Sequence, residues 1–112
     1  MAEAPAASPF APTHVSVICH DGPEAGPKRR AAAQAHLAYV ETILDRVLMA
    51  GPLYSDDGAA MVGSIYIFKT RSLAEARQLL ENDPYFKAAF WKSVEIQPML
   101  PAAGDCVGGK IW

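Results

Sequence analysis

Apolar and polar residues alternate from Thr13 to His20, with Val15, Val17 and Cys19 on one side and His14, Ser16, Ile18 and His20 on the other. A period of two is the mark of a strand, so this stretch predicts the first one. The glycines and prolines from Asp21-Gly22-Pro23 to Gly26-Pro27 then indicate a loop, and Pro27 suits the first turn of a helix. From there to about Leu48 the period becomes helical. At about 100° per residue, Ala33, Leu37, Val40, Ile43, Leu44, Val47 and Leu48 share one broad arc, which is predicted to face the core.

A short second strand is expected from Met49 to Tyr54, at a sheet edge because Pro52 has no N–H to give to a neighbour. Ser55-Asp56-Asp57-Gly58 is a turn of the kind that joins antiparallel strands. The third strand, from Val62 to Lys69, puts Val62, Ser64, Tyr66 and Phe68 on one side and Gly63, Ile65 and Ile67 on the other. Both sides are largely apolar, which predicts that the second face is also covered, by another subunit.

Ser72-Leu73-Ala74-Glu75 reads as a capping box, with the serine hydroxyl on the Glu75 amide and the glutamate reaching back to the cap. The helix it opens turns Leu73, Ala76, Leu79 and Leu80 inward and ends near Asn82; Pro84 then starts a short helical stretch to about Phe90. A last strand, from Ser93 to Met99, sets Val94, Ile96 and Pro98 against Ser93, Glu95 and Gln97. The order is β-α-β-β-α-β, an α+β ferredoxin-like domain with an antiparallel sheet, over residues 13–100. Residues 101–112 form a tail rich in Gly and Pro that ends in Ile111-Trp112.

Composition narrows the function classes. The chain has 112 residues, 51% apolar and 20% charged, enough for one small core. A net charge of −2, with Lys28-Arg29-Arg30 as the basic cluster, argues against nucleic acid as a partner. No apolar run is long enough for a membrane span. Residues 1–12 are rich in Ala and Pro and carry Glu3 where a signal peptide would have Lys or Arg, so a disordered arm and a cytoplasmic protein are expected. Cys19 and Cys106 show no metal or disulfide spacing, Cys19 being placed in the core and Cys106 in the tail. His14 and His20 share a strand face but lie about 20 Å apart at roughly 3.3 Å per residue, too far for one metal ion.

The candidate chemistry centres on Asn82-Asp83-Pro84-Tyr85-Phe86. A residue before proline is driven out of the helical region, so Asp83 breaks one helix, can cap the next, and stands free to face another element. His36 is the expected partner. It sits at the edge of the first helix's apolar arc beside Val40 and Ile43, with Arg29 on the same edge two turns earlier, an arrangement that could line a pocket.

Several short motifs in order, His36-Leu37-x-Tyr39, Gly51-Pro52-Leu53, Gly63-Ser64, Ser72-x-x-Glu75-Ala76, Asp83-Pro84-Tyr85 and Val94-x-Ile96-x-Pro98, resemble the YciI-like (YCII-related) family. The resemblance implies a dimeric α/β barrel, in which two ferredoxin-like sheets pack face to face as a homodimer. It also implies that His36 and Asp83 form an acid/base pair; Arg29, Ser64 and Tyr85 are expected as substrate contacts. Activities in the family and its superfamily include dehydrochlorination of chlorinated hydroxyquinols and isomerisation of muconolactone. Two positions depart from the family pattern: Ala33 stands where an arginine is common, and Ala89 where a glycine is common.

An imidazole can take and return a proton near neutral pH, and a carboxylate behind it fixes the tautomer and stabilises the imidazolium. Such a pair suits a small lyase or isomerase acting on an aromatic or lactone substrate, with no cofactor and no metal. The alternative is a non-catalytic dimer that binds a small molecule or a protein through the same cleft.

Overall fold

The computed structural model describes residues 10–112; residues 1–9 of the expected arm lie outside them. Strands β1 (His14–Asp21), β2 (Val47–Tyr54), β3 (Met61–Phe68) and β4 (Trp91–Met99) form one sheet in the order β2-β3-β1-β4. All neighbouring pairs are antiparallel. With helices α1 (Ala25–Thr42), α2 (Leu73–Glu81) and α3 (Pro84–Lys87), this is the ferredoxin-like arrangement.

The alternation in β1 decides which face is inside. Val15, Val17 and Cys19 are fully buried and pair with Phe68, Tyr66 and Ser64 of β3 on one side and with Pro98, Ile96 and Val94 of β4 on the other. Ala76 and Leu80 of α2, with Ile43 beyond the end of α1, close the core over this face. The opposite face carries Ser16, Ile18, Ile65 and Ile67 in mutual register, with Met49 of β2 paired to Ile67. Pro52 lies on β2, which is an edge strand as its missing N–H requires.

Helix α1 differs from the expectation in both length and facing. It ends at Thr42, a 3-10 turn spans Leu44–Arg46, and Val47 already belongs to β2. Val40, Thr42 and Ile43 are β-branched and lose side-chain freedom in a helix, and Ile43 turns into the core as the helix stops. The face toward the protein follows Ala25, Arg29, Ala32, His36, Tyr39 and Ile43, spaced alternately by four and three residues. Leu37 and Leu44, expected inside, are 59% and 62% exposed. The arc was drawn through the largest apolar side chains, whereas the real seam runs through an ion-paired arginine and a histidine.

The Ser72 hydroxyl accepts from the Glu75 amide at 3.0 Å, as the capping box requires. Its second half is absent. Glu75 instead pairs with Arg46 at 2.6 Å and accepts from the Thr70 hydroxyl, while the Ser72 amide turns to Thr70 Oγ1. A guanidinium within reach outcompetes a backbone amide for the carboxylate. The C-terminal stretch is more ordered than its composition suggests. Strands β5 (Ala103–Gly104) and β6 (Gly109–Lys110) pair around a 3-10 turn at Asp105–Val107, which places Cys106 in a hairpin.

Helix α3 ends at a left-handed residue. Ala89 has φ 60° and donates its amide to Phe86 O. A side chain here meets the following carbonyl, a strain glycine avoids, and the resemblance expects glycine at this position. Ala89→Gly should therefore raise stability by about 1 kcal/mol, read as an increase in the urea midpoint with an unchanged slope.

Candidate functional site

Asp83 begins the site because its backbone is settled locally. Proline at 84 holds it extended, at φ −72° and ψ 130°, and its carboxylate accepts the Tyr85 amide at 2.9 Å as the cap of α3. The same carboxylate is fully buried and has two further donors. The Tyr66 hydroxyl of β3 donates to Oδ2 at 2.7 Å, and His36 Nδ1 of α1 lies 2.8 Å from Oδ1 and 3.0 Å from Oδ2. An ionised carboxylate only accepts, so the proton between them sits on Nδ1 and a neutral imidazole carries its lone pair on Nε2. Tyr85 stacks on the imidazole with ring centroids 3.7 Å apart and planes within 5°.

A second buried charge pair lies next to it. Arg29 Nε and Nη2 donate to the two oxygens of Asp21 at 2.8 and 3.0 Å, and Nη2 also reaches Gly63 O at 2.8 Å and Ser64 Oγ at 2.9 Å. Phe90 and Tyr85 flank the guanidinium, 5.0 and 5.2 Å from its carbon. Burial works against the charge on Arg29, but the hydrogen bond and charge of Asp21 outweigh it and hold the arginine above its ordinary pKa. Gly63 is needed for this packing, since a Cβ there would lie 2.4 Å from Cys19 O.

His36, Arg29, Ser64, Tyr66 and Tyr85 all line one cavity of about 410 Å³ between α1 and the inner face of β2 and β3. Its remaining walls are mostly apolar, with Leu37, Val40, Pro52 and Met61 among them. Nε2 of His36 has no hydrogen-bond partner among the described residues, and it is not sealed from solvent. The structure thus brings together all five residues singled out in the sequence: His36 with Asp83, Arg29 with Ser64, and Tyr85 against both His36 and Arg29.

His14 and His20 stand elsewhere, beside Thr13 and Glu95 respectively. Among the described residues, no three His, Cys, Asp or Glu side chains converge as metal ligands. Sequence reasoning missed Asp21 and Tyr66. Asp21 looked like a loop residue, although it ends β1. Tyr66 follows Ser64 on the same face of β3, so its period-two position was the available signal. Its phenol is held protonated by burial, then by the charge and hydrogen bond of Asp83, which keeps it a donor.

The ferredoxin-like fold agrees with the sequence comparison. The YCII-related domain model matches residues 13–100, and the chain belongs to that family. Among solved structures it is similar to 5-chloro-2-hydroxyhydroquinone dehydrochlorinase from Burkholderia phenoliruptrix AC1100, in complex with 2,5-dihydroxybenzoquinone. The TM-score is 0.70 with 26% identity, covering 82% of this chain and 96% of that one. No protein of curated function matches the sequence.

Substituting Asp83 separates its roles. In Asp83→Asn the amide oxygen can still cap α3 and the Tyr66 hydroxyl can turn to accept, so stability should fall by no more than about 1 kcal/mol. Asp83→Ala loses the cap and strands the buried Tyr66 hydroxyl, at a cost on the order of 3 kcal/mol. Urea denaturation measures both; in the wild type, imidazole ¹⁵N shifts should show the His36 proton on Nδ1.

Cys19, below the site, gives a pH prediction. Burial, then the negative charge of Asp83, pushes its thiol from an ordinary 9.0 up to about 12, partly opposed by Arg29. Above pH 9 the unfolded chain releases this proton while the folded chain keeps it, so stability falls as pH rises through that window. Tyr66 acts in the same direction. Urea midpoints should therefore decline above pH 9, and less steeply in Cys19→Ala. At pH 8, a thiol reagent should label exposed Cys106 at once and Cys19 only after unfolding.

Proposed function

We propose that the protein is a small cofactor-independent enzyme of lyase or isomerase type, with His36 as its acid/base group and Asp83 as the carboxylate that orients it. The observation that carries this reading is the Nδ1 contact to a fully buried Asp83, which leaves Nε2 as the free nitrogen of an imidazole lining the cavity. Nε2 takes a proton from a substrate hydroxyl or carbon. The electron pair left behind either expels a leaving group as its anion from a neighbouring carbon, the proton then passing from Nε2 to solvent, or shifts a double bond, the proton then returning at another carbon. Asp83 stabilises the imidazolium between the two events.

The apolar walls and the size of the cavity suit a single small ring. The similar dehydrochlorinase binds a dihydroxybenzoquinone, which supports substrates of the chlorinated hydroxyquinol or lactone kind. The two free thiols fit a reducing compartment, and we place the protein in the cytoplasm.

A turnover screen on chlorinated hydroxyquinols and lactones should find a substrate. His36→Asn and Asp83→Asn should then lower kcat/KM by about 10²- to 10⁴-fold. Turnover that survives His36→Asn would overturn the assignment, and tight binding without turnover would leave a non-catalytic binding domain.

The reading includes a homodimer through the outer sheet face, where Met49 is 48% exposed in the single chain and Ile18, Leu53 and Ile65 are half-buried. Light scattering at micromolar concentration should give twice the chain mass, with an interface above about 1,000 Å². A stable monomer would exclude it.

A further inference from the structure

Although the ring of Tyr66 lines the cavity, its proton is committed to Asp83. The hydroxyl donates to Oδ2 at 2.7 Å, and a bond to a charged acceptor is stronger than one between neutral groups. The fold holds that hydroxyl in place. Tyr66 is 3% exposed, pairs with Val17 of β1 and Ala50 of β2, stacks on Phe68 and lies edge-on to Trp91. Packing alone does not call for a phenol here. Phenylalanine would fill the same space, and the hydroxyl adds a desolvation cost that only a partner offsets.

The bond matters because of what Asp83 would do without it. A fully buried carboxylate at hydrogen-bond distance from an imidazole favours the imidazolium, and a histidine already protonated takes no proton from a substrate. The other groups around His36 leave this effect unopposed. On α1, Arg29 is neutralised by Asp21, and Tyr39 donates to Leu79 O. From α3, Tyr85 stacks on the imidazole, and on β1 burial keeps Cys19 a neutral thiol. The balance therefore depends on how much of the Asp83 charge its other donors absorb. The Tyr85 amide binds Oδ1 and the Tyr66 hydroxyl binds Oδ2, while His36 Nδ1 spans both at 2.8 and 3.0 Å. The amide belongs to the helix cap; the phenol is the donor that a side chain was chosen to supply.

We propose that Tyr66 is a positioning residue, which fixes the Asp83 carboxylate and draws its charge away from His36, so that Nε2 is kept open to a substrate proton. The inference rests on the reading of His36 as the base and adds the group that tunes it. Without the hydroxyl, Oδ2 is left to the imidazole; the carboxylate then holds the imidazolium more tightly, and the proton affinity of His36 rises. Tyr66 itself gives up no proton in this role, because burial and the charge of Asp83 keep the phenol protonated.

The test is the titration of the His36 imidazole in the whole chain, followed by NMR, which needs no substrate. Tyr66→Phe should move its midpoint up by about one pH unit, or about tenfold in proton affinity. Replacing Tyr66 with 3-fluorotyrosine, whose phenol is the stronger donor, should move it down. That variant keeps the ring and its bond, so it decides if Tyr66→Phe fails to fold. Tyr39→Phe, which removes a phenol bound to a backbone carbonyl, should leave the midpoint where it is. On a substrate found by the screen, kcat/KM falls as pH drops through the His36 midpoint. In Tyr66→Phe this fall should begin about one unit higher, with activity kept on the alkaline side. Lower stability with both midpoints unmoved would mean a purely structural phenol and overturns the proposal, as does an equal shift in Tyr39→Phe. If the midpoint moves as expected but turnover survives His36→Asn, the coupling of Tyr66 to the imidazole stands and the base role of His36 falls.

Discussion

A carboxylate with no exposed surface is expensive unless each of its oxygens is satisfied, and Asp83 is in that position. Its donors come from three different elements: the Tyr85 amide at the start of α3, the Tyr66 hydroxyl in the middle of β3, and the His36 imidazole on α1. Meeting the needs of this one charge fixes how both helices sit on the sheet. Pro84 starts the sequence of constraints by holding the aspartate extended, where its side chain can serve its own helix and the neighbouring layer together. A local backbone rule thus becomes a tertiary one, and the orientation of the imidazole follows from it.

The Arg29–Asp21 pair repeats the principle from the other end of α1. Both carboxylates are buried and both face a nitrogen of that helix, so α1 is docked by polar contacts at two points two turns apart. Tyr85 lies between them, stacked on the imidazole and flanking the guanidinium. The small residues between, Ala32 and Ala33, let the helix come close without filling the space in front of His36. Larger side chains at these positions would trade the cavity for more core.

The strand pattern was legible because alternation is a local property: Val15, Val17 and Cys19 are inside for the reason the sequence suggests. So was the Asp83 cap, which needs only a proline after it. The facing of α1 was not legible. Its seam runs through Arg29 and His36, which read as surface residues until the partners that neutralise them are known, and those partners come from distant parts of the chain. Leu37 drew the arc the wrong way for the same reason, being a large apolar side chain that lines a cavity. Tyr66 was placed on the correct strand face, but periodicity cannot say that a phenol on that face would find a carboxylate rather than a hydrocarbon neighbour. The pairing of His36 with Asp83 was expected from the edge position of His36 on the apolar arc, and the resemblance strengthened it.

The cavity joins two kinds of wall. The polar groups sit on α1, the interior strand β3 and the cap of α3, where each is held by several neighbours. The facing wall comes from Ala50, Gly51 and Pro52 on the edge strand and from Met61 just past its turn. An edge strand is hydrogen-bonded on one side only, and the loop at its end tolerates changes in length and sequence. Substitutions in that hairpin can therefore reshape one wall of the cavity while the buried pairs of His36 with Asp83 and Arg29 with Asp21 stay as they are.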